Sequence, residues 1–273
     1  MADHIDLAPE FAAAWKGRDP FEAVSELEGE VFRKVKSRRT FRFEFGGNGY
    51  FAKIHHGVGW REIIKNWLMG KRPVLGAQNE YNALALLHRV GVDTMTSRAY
   101  GCRGRNPARI ESFLITAELK DMTSLEDFCR NWPENRPAPR LRHALNRRLA
   151  MMVKGMHDAG LNHRDCYLCH FLLDNATCAD ELPRLYVIDL HRAEIRKRVP
   201  YRYRVKDTAG ICFSAMDIGL TRNDRFRFMK IYSGKTLRDT LREDAGFWPS
   251  RGMSLTEPSV VTTMPMVECS QIT

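Results

Sequence analysis

Three short stretches hold charged residues of the types, and in the places, that phosphoryl transfer needs. His163-Arg164-Asp165 follows the end of a helical pattern and precedes a short apolar run, Phe171-Leu172-Leu173. Asp189 closes the next apolar run, Val187-Ile188-Asp189-Leu190, and Lys53 sits in Tyr50-Phe51-Ala52-Lys53-Ile54. Moving a phosphoryl group asks little covalent chemistry of a protein. Charge on the phosphate oxygens must be neutralised and the acceptor oxygen held in line, which one cation, two carboxylates and a metal ion can do. Lys53 would hold nucleotide phosphates, Asp165 would orient the attacking hydroxyl, and Asp189 would hold Mg²⁺. The lysine needs an acid to fix it, and Glu80, at the start of the next helical pattern but one, is the best candidate. Taken singly each residue is unremarkable: a strand lysine usually faces solvent, and an acid in a first helical turn simply suits the helix dipole. Their order and contexts carry the reading.

The elements around them follow from periodicity. Residues 30–55 alternate apolar and polar positions (Phe41, Phe43, Phe45) and break at Gly46-Gly47-Asn48-Gly49, the pattern of three antiparallel strands with a tight turn before the third. Asp19 stands as an N-cap with Pro20 at the first helical position. Trp60, Ile63, Ile64, Trp67 and Leu68 recur at helical spacing over 57–70, and a second helix covers 78–89. Phe113–Thr116 reads as a buried strand, 131–139 as a loop, 140–159 as an amphipathic helix, and 206–243 as helical again. The order predicts an α+β chain of two lobes: 1–118, rich in strands, and 119–246, mostly helical, with a tail over 247–273.

Composition agrees with a folded enzyme. The chain has 273 residues, 44% hydrophobic and 28% charged, enough for two packed lobes. No stretch approaches the roughly 18 apolar residues that span a bilayer. The acid-bearing N-terminus lacks the basic and apolar regions of a secretory signal, so a cytoplasmic location is expected. A net charge of +10 calls for anionic partners but does not choose among them. Seven cysteines, an odd number in such a chain, argue against a disulfide framework. Cys166-Tyr167-Leu168-Cys169-His170 matches the C-x-x-C-H of covalent haem attachment, yet it lies inside the loop whose flanks fit catalysis. Zinc on His163, Cys166, Cys169 and His170 would lack the second C-x-x-C that structural sites use. Two small, partly buried thiols are the simpler expectation.

Lysine, loop aspartate and strand-end aspartate in this order are similar to the protein-kinase superfamily. The stretch from His163 through Leu173, with Val187-Ile188-Asp189-Leu190-His191-Arg192, more specifically resembles bacterial lipopolysaccharide core heptose kinases. The resemblance extends through Lys16–Phe21, Tyr50–His55, Gly57-Val58-Gly59-Trp60, Pro73–Ala77, Ile115–Leu119, Lys206-Asp207 and Phe213–Leu220. It implies the bilobal kinase-like fold and transfer of the ATP γ-phosphate, with Mg²⁺, to the first heptose of the inner core on lipid A. On this mapping Asp165 is the catalytic base, Lys53 the ATP lysine with Glu80 as its partner, and Asp189 a metal carboxylate. Glu118 and Leu119 fall in the hinge that contacts adenine, and Asp207 braces the catalytic loop. The family is associated with acyl carrier protein and with the cytoplasmic face of the inner membrane; nucleic acid is not an expected partner.

Departures qualify the mapping. His170 takes the second-metal position that protein kinases give to Asn, and imidazole is a poor ligand for hard Mg²⁺. No G-x-G-x-x-G separates the first two strands; Lys36-Ser37-Arg38-Arg39-Thr40 stands there, so charge would replace glycine amides over the phosphates. Residues 57–70 lengthen the path from Lys53 to Glu80, either as a packed helix or as a surface helix whose Trp60, Trp67, Lys65, Lys71 and Arg72 meet acyl carrier protein or membrane. The tail after Gly246 has few charges and no period, and reads as disordered. A protein or small-molecule kinase, and a weakly active pseudokinase serving as a binding module, stand as the other readings.

Overall fold

The computed structural model describes residues 3–35, 37–70, 73–244 and 246–248; the expectations that fall on Lys36, Lys71, Arg72 and the 249–273 tail lie outside these residues. The chain divides into two compact units, Met1–Ala85 with Met95–Lys120 and Leu190–Arg192, and Leu86–Thr94 with Asp121–Asp189 and Ala193–Thr273. The division thus falls at 120/121, and the last residues of one helix belong to the second unit.

The first unit is an antiparallel sheet with α1 and α2 on one face and α4 on the other. Its elements are β1 (His4–Leu7), α1 (Pro9–Ala14), α2 (Pro20–Ser25), β2 (Glu30–Val35), β3 (Arg38–Phe45), β4 (Asn48–His56), α3 (Gly59–Leu68), α4 (Gln78–Arg89), β5 (Ser97–Arg103) and β6 (Glu111–Ala117). The strand order is β1-β5-β6-β4-β3-β2. The Asp19 carboxylate accepts from the Phe21 amide at 2.9 Å, so α2 begins where the Asp-Pro pair predicts. The β3–β4 turn is Gly46-Gly47, with φ of 57° and 77°, which suits a two-residue hairpin of matching twist. Phe41, Phe43, Tyr50, Ala52, Ile54, Phe113 and Ile115 from the sheet pack on Phe11, Trp15, Phe21 and Val24 of the α1–α2 region. Because side chains alternate across a strand, Lys53 and His55 point to the opposite face. Register places Thr40 opposite Lys53 and Arg38 opposite His55, so one face carries all four. Arg38–Thr40 therefore belong to β3 rather than to the turn before it.

The second unit holds β7 (Met122–Ser124), α5 (Leu125–Cys129), α6 (Pro139–Asp158), β8 (Leu161–Asn162), β9 (Phe171–Asp174), β10 (Leu185–Val187), β11 (Glu194–Ile195), α7 (Tyr201–Ser214), α8 (Arg222–Ser233) and α9 (Leu237–Glu243). A three-stranded sheet has the order β10-β9-β7, and β11 pairs with β8. The helix α6 runs through the core of this unit, burying Leu145, Leu149, Met152, Val153 and Met156. Gly160, at φ 87°, turns the chain out of α6; a Cβ there would lie 2.0 Å from the Arg196 carbonyl oxygen. Only glycine lets the backbone come that close.

Candidate active site

In the first unit β4 holds Lys53 between β3 and β6, and its Nζ lies 2.7 Å from Glu80 Oε1. Glu80 is 1% exposed, which makes this a buried ion pair on the first turn of α4. Glu80 Oε2 and Thr40 Oγ1 are both buried without a hydrogen-bond partner among the described residues. Buried polar atoms are nearly always satisfied, so such atoms beside a lysine mark a place where a bound group or water completes the pairing. His55, on the same face, is buried, and burial, with the charges of Arg38, Lys53 and His191, pushes its pKa down to about 3. The face around Lys53 is therefore cationic, with a histidine that stays neutral.

This depressed value has a pH consequence of definite sign. The unfolded chain protonates His55 near pH 6.5 and the folded protein does not, so its contribution to stability is present above 6.5 and is lost as pH falls toward 3. At pH 5 the loss is about 2 kcal/mol. Thermal midpoints should fall between pH 7 and pH 5, and His55→Gln should flatten that slope; an equal slope in both proteins contradicts this.

Glu118 and Leu119 follow β6 at the end of the first unit. The Glu118 carboxylate is held by Arg42 at 2.5 and 2.9 Å. A Cβ on Gly49 would collide with that carboxylate, and the Glu118 amide donates to the Gly49 carbonyl at 3.0 Å. With the carboxylate committed, any adenine contact at this segment falls to backbone.

In the second unit the loop after β8 is shaped by one buried carboxylate. Asp207, 1% exposed on α7, accepts from the amides of His163 at 2.7 Å and Arg164 at 2.9 Å. Arg164 needs this hold, since its φ is 75° in the left-handed region. Behind Asp207 a relay runs through buried side chains: Arg204 Nε donates to the Tyr232 hydroxyl at 2.9 Å, which donates to His157 Nδ1 at 2.7 Å, and His157 Nε2 donates to Asp207 at 3.2 Å. Burial, outweighing the nearby Arg204, lifts the Tyr232 hydroxyl to about 12, so it stays protonated as this relay requires.

The loop is closed on its other side by β9 and β10. His163 Nε2 donates to the Ile188 carbonyl at 3.0 Å, and the Ile188 amide donates to the His170 carbonyl at 3.0 Å. Burial, reinforced by His170, lowers the His163 pKa and keeps the ring neutral. His170 Nδ1 lies 2.7 Å from the Asp165 carbonyl oxygen, which can only accept, so Nδ1 carries the proton. Its Nε2 lies 3.8 Å from Asp189 Oδ2. The strand before Asp189 ends at Val187, earlier than the apolar run suggests, and Asp189 adopts φ 57°. The carboxylates of Asp165 and Asp189 are both partly exposed.

A third anchor was not visible in the sequence. Ser214 Oγ accepts from the Leu168 amide at 3.0 Å, and a Cβ on Gly210 would lie 2.6 Å from the Cys166 carbonyl oxygen. Asp207, Gly210 and Ser214 are spaced i, i+3, i+7, so a single face of α7 receives the loop. That spacing was the signal available. Gly210→Ala should destabilise the protein by about 1–3 kcal/mol by forcing loop and helix apart. Urea denaturation checks this, and a midpoint equal to the parent's contradicts the close contact.

The C-x-x-C-H pattern resolves into this same loop. Cys166 is buried, which drives its thiol well above the usual range, and Cys169 is half-buried; Cys102 and Cys129 are buried thiols, and Cys178 and Cys212 half-buried ones. His163 and His170 each give a ring nitrogen to a backbone carbonyl, and no cluster of three or more His, Cys, Asp or Glu able to hold a metal occurs among the described residues.

The sequence matches the lipopolysaccharide kinase (Kdo/WaaP) family over residues 22–232. The lipopolysaccharide core heptose(I) kinase WaaP of Pseudomonas aeruginosa is 53% identical over 249 residues, 90% of this chain and 92% of that protein. The protein of the same name from Escherichia coli K12 is 50% identical over 239 residues, 87% of this chain and 90% of that one. A solved structure, WaaP in complex with acyl carrier protein, superposes with a TM-score of 0.79 at 47% identity, covering 89% of this chain and 94% of that chain.

Proposed function

The chain belongs to the lipopolysaccharide kinase (Kdo/WaaP) family, and we propose that it transfers the γ-phosphate of ATP to the first heptose of the lipopolysaccharide inner core. The observation that carries this reading is the loop clamped by Asp207, which holds the amides of His163 and Arg164 immediately before Asp165. The heptose hydroxyl oxygen attacks the γ-phosphorus as the bond to the β-phosphate oxygen breaks. The hydroxyl proton passes to the Asp165 carboxylate, and ADP leaves with the bridging oxygen. Lys53, held by Glu80, neutralises phosphate charge, and Arg38 on the same face adds to it where glycine amides are missing. The backbone at Glu118 and Leu119 would contact adenine.

Mg²⁺ would sit at Asp189, whose partly exposed carboxylate is a hard oxygen donor of the kind that ion takes together with phosphates. It would supply charge neutralisation on the phosphate oxygens. His170 offers Nε2 on the same side as Asp189, and an imidazole there suits Mn²⁺ better than Mg²⁺.

Two of the exposed positions on α3 are tryptophans. Trp60 is 49%, Trp67 62% and Leu68 84% exposed, while Ile63 anchors the helix from its other side. Arg61 and Lys65 lie on the same helix. Acyl carrier protein is the partner we assign to this face: aromatic anchors with basic neighbours suit an acidic, lipid-bearing protein. Trp60→Ser and Trp67→Ser should each weaken binding by at least about tenfold in a pull-down or calorimetric titration. Unchanged affinity in both would remove α3 as the docking face.

No helix among the described residues is long and apolar enough to cross a membrane. Peripheral action at the cytoplasmic face of the inner membrane suits a lipid-linked acceptor. The activity is tested by ADP release. Turnover should require a core glycolipid that carries heptose, and truncation of the glycolipid before heptose should leave only background. Turnover that ignores the truncation contradicts the proposed acceptor.

A further inference from the structure

Between Glu194 and Asp207 the chain reads IRKRVPYRYRVK, with six cations and no acid. Several of these residues are internally engaged. Arg196 is held by Glu194 and Asn162, and its guanidinium lies 4.4 Å from the Tyr203 ring centroid. Arg204 serves the Tyr232 relay. Lys197, Arg198 and Lys206 stand exposed, as does Arg202, which donates to the Tyr203 hydroxyl at 2.8 Å; beside them Ile195 is 45% exposed and Tyr201, edge-on to the Phe247 ring, 58%. An exposed aliphatic and an exposed phenol set among exposed cations make a surface that is both basic and apolar.

The two ends of this segment are fixed to the catalytic loop. At one end β11 pairs with β8, so that Glu194 faces Asn162, immediately before His163. Arg164 donates to Glu194 at 3.1 Å, and the Arg196 amide donates to the Gly160 carbonyl at 2.9 Å. At the other end lies Asp207 itself, which holds the His163 and Arg164 amides. Whatever binds the segment is thereby placed at a set distance and angle from Asp165.

We infer that residues 195–206 form a docking surface for an anionic bilayer, with Ile195 and Tyr201 entering the headgroup region and Lys197, Arg198 and Arg202 meeting anionic lipid. The bilayer is favoured over a free polyanion because a soluble phosphate or acidic sugar gives exposed Ile195 nothing to pack against, whereas an interface takes both kinds of side chain. The inference rests on the reading of this chain as a kinase of a lipid-linked sugar: an enzyme whose acceptor is embedded must approach the surface with its catalytic loop correctly turned.

The test is vesicle co-sedimentation of the full chain without nucleotide or acceptor, so it succeeds or fails independently of the kinase activity. Vesicles containing phosphatidylglycerol should bind the protein and pure phosphatidylcholine vesicles should not, with binding falling as salt rises. Each cation removed should cost about fivefold, so Lys197→Ser, Arg198→Ser and Arg202→Ser together should weaken partition by about 100-fold. Ile195→Ser with Tyr201→Ser should weaken binding while leaving its salt dependence intact. Because all five positions are exposed, circular dichroism should match the parent, with at most a small fall in thermal midpoint from the lost contacts of Arg202 with Tyr203 and of Tyr201 with Phe247. Full binding by the triple-cation variant overturns the proposal, as does loss of binding only when Trp60 and Trp67 of α3 are replaced. Failure of the parent to bind anionic vesicles, or equal binding to soluble acidic oligosaccharide, overturns it too.

Discussion

Replacing Asp165 by Asn lowers kcat by about two to four orders of magnitude, the range for loss of a positioned general base. The substitution is nearly isosteric, and the loop around it is held by groups other than the Asp165 side chain. The Asp165 carbonyl accepts from His170 Nδ1 and from the Tyr167 amide, while Asp207 holds the two residues before it. The fold and nucleotide affinity should therefore survive. Stopped-flow or quenched turnover with saturating ATP reads the effect directly. A drop of less than about tenfold would move the base elsewhere.

The second large effect is on stability. Asp207→Ala removes the acceptor of two backbone amides and of His157 from a site that is 1% exposed. Each buried donor left unsatisfied costs about 1–3 kcal/mol, so the total loss should be about 3–5 kcal/mol. For a chain of this size that is a fall of roughly 10 °C in thermal midpoint. Asp207→Asn keeps one acceptor oxygen and should lose less. The loop of the Ala variant should also become open to proteolysis near Arg164, because Asp207 holds the amide of that left-handed residue. A midpoint within about 2 °C of the parent would contradict Asp207 as the brace of the loop.

Much of the site was legible because its signals are local. Lys53 lies in an alternating strand, and Asp19-Pro20 starts α2 as short-range rules predict. Gly46-Gly47 closes its hairpin for the same reason. What escaped depends on distance in sequence. Nothing local tells that the Glu118 carboxylate is gripped by Arg42, 76 residues away. Strand β5 was missed because Gly101 weakens its pattern, and that glycine is required: a Cβ would enter the Phe113 ring. The edge strand β1, four mostly exposed residues, gives almost no hydrophobic signal. Gly210 and Ser214 lay hidden in a helix whose apolar periodicity is weak because the polar Asp207 and Thr208 are buried beside Ile211.

The cysteine-rich loop shows how context changes a motif. Read as letters, Cys166 to His170 suggests haem; in the fold, His170 fixes the Asp165 carbonyl and turns its second nitrogen toward Asp189. One ring thus stands between the Asp165 backbone and the Asp189 carboxylate. His170→Asn would remove that link while restoring an oxygen donor, and it should shift the preference for Mn²⁺ toward Mg²⁺.

The most direct measurement is the destination of the phosphate. Core lipopolysaccharide and a generic protein substrate are offered together with ATP and Mg²⁺, and the products are read by ³¹P NMR and mass spectrometry. We expect one new phosphomonoester on the first heptose, absent with Asp165→Asn and absent on the protein. Phosphate on the protein substrate, or none anywhere while nucleotide still binds, would contradict the account.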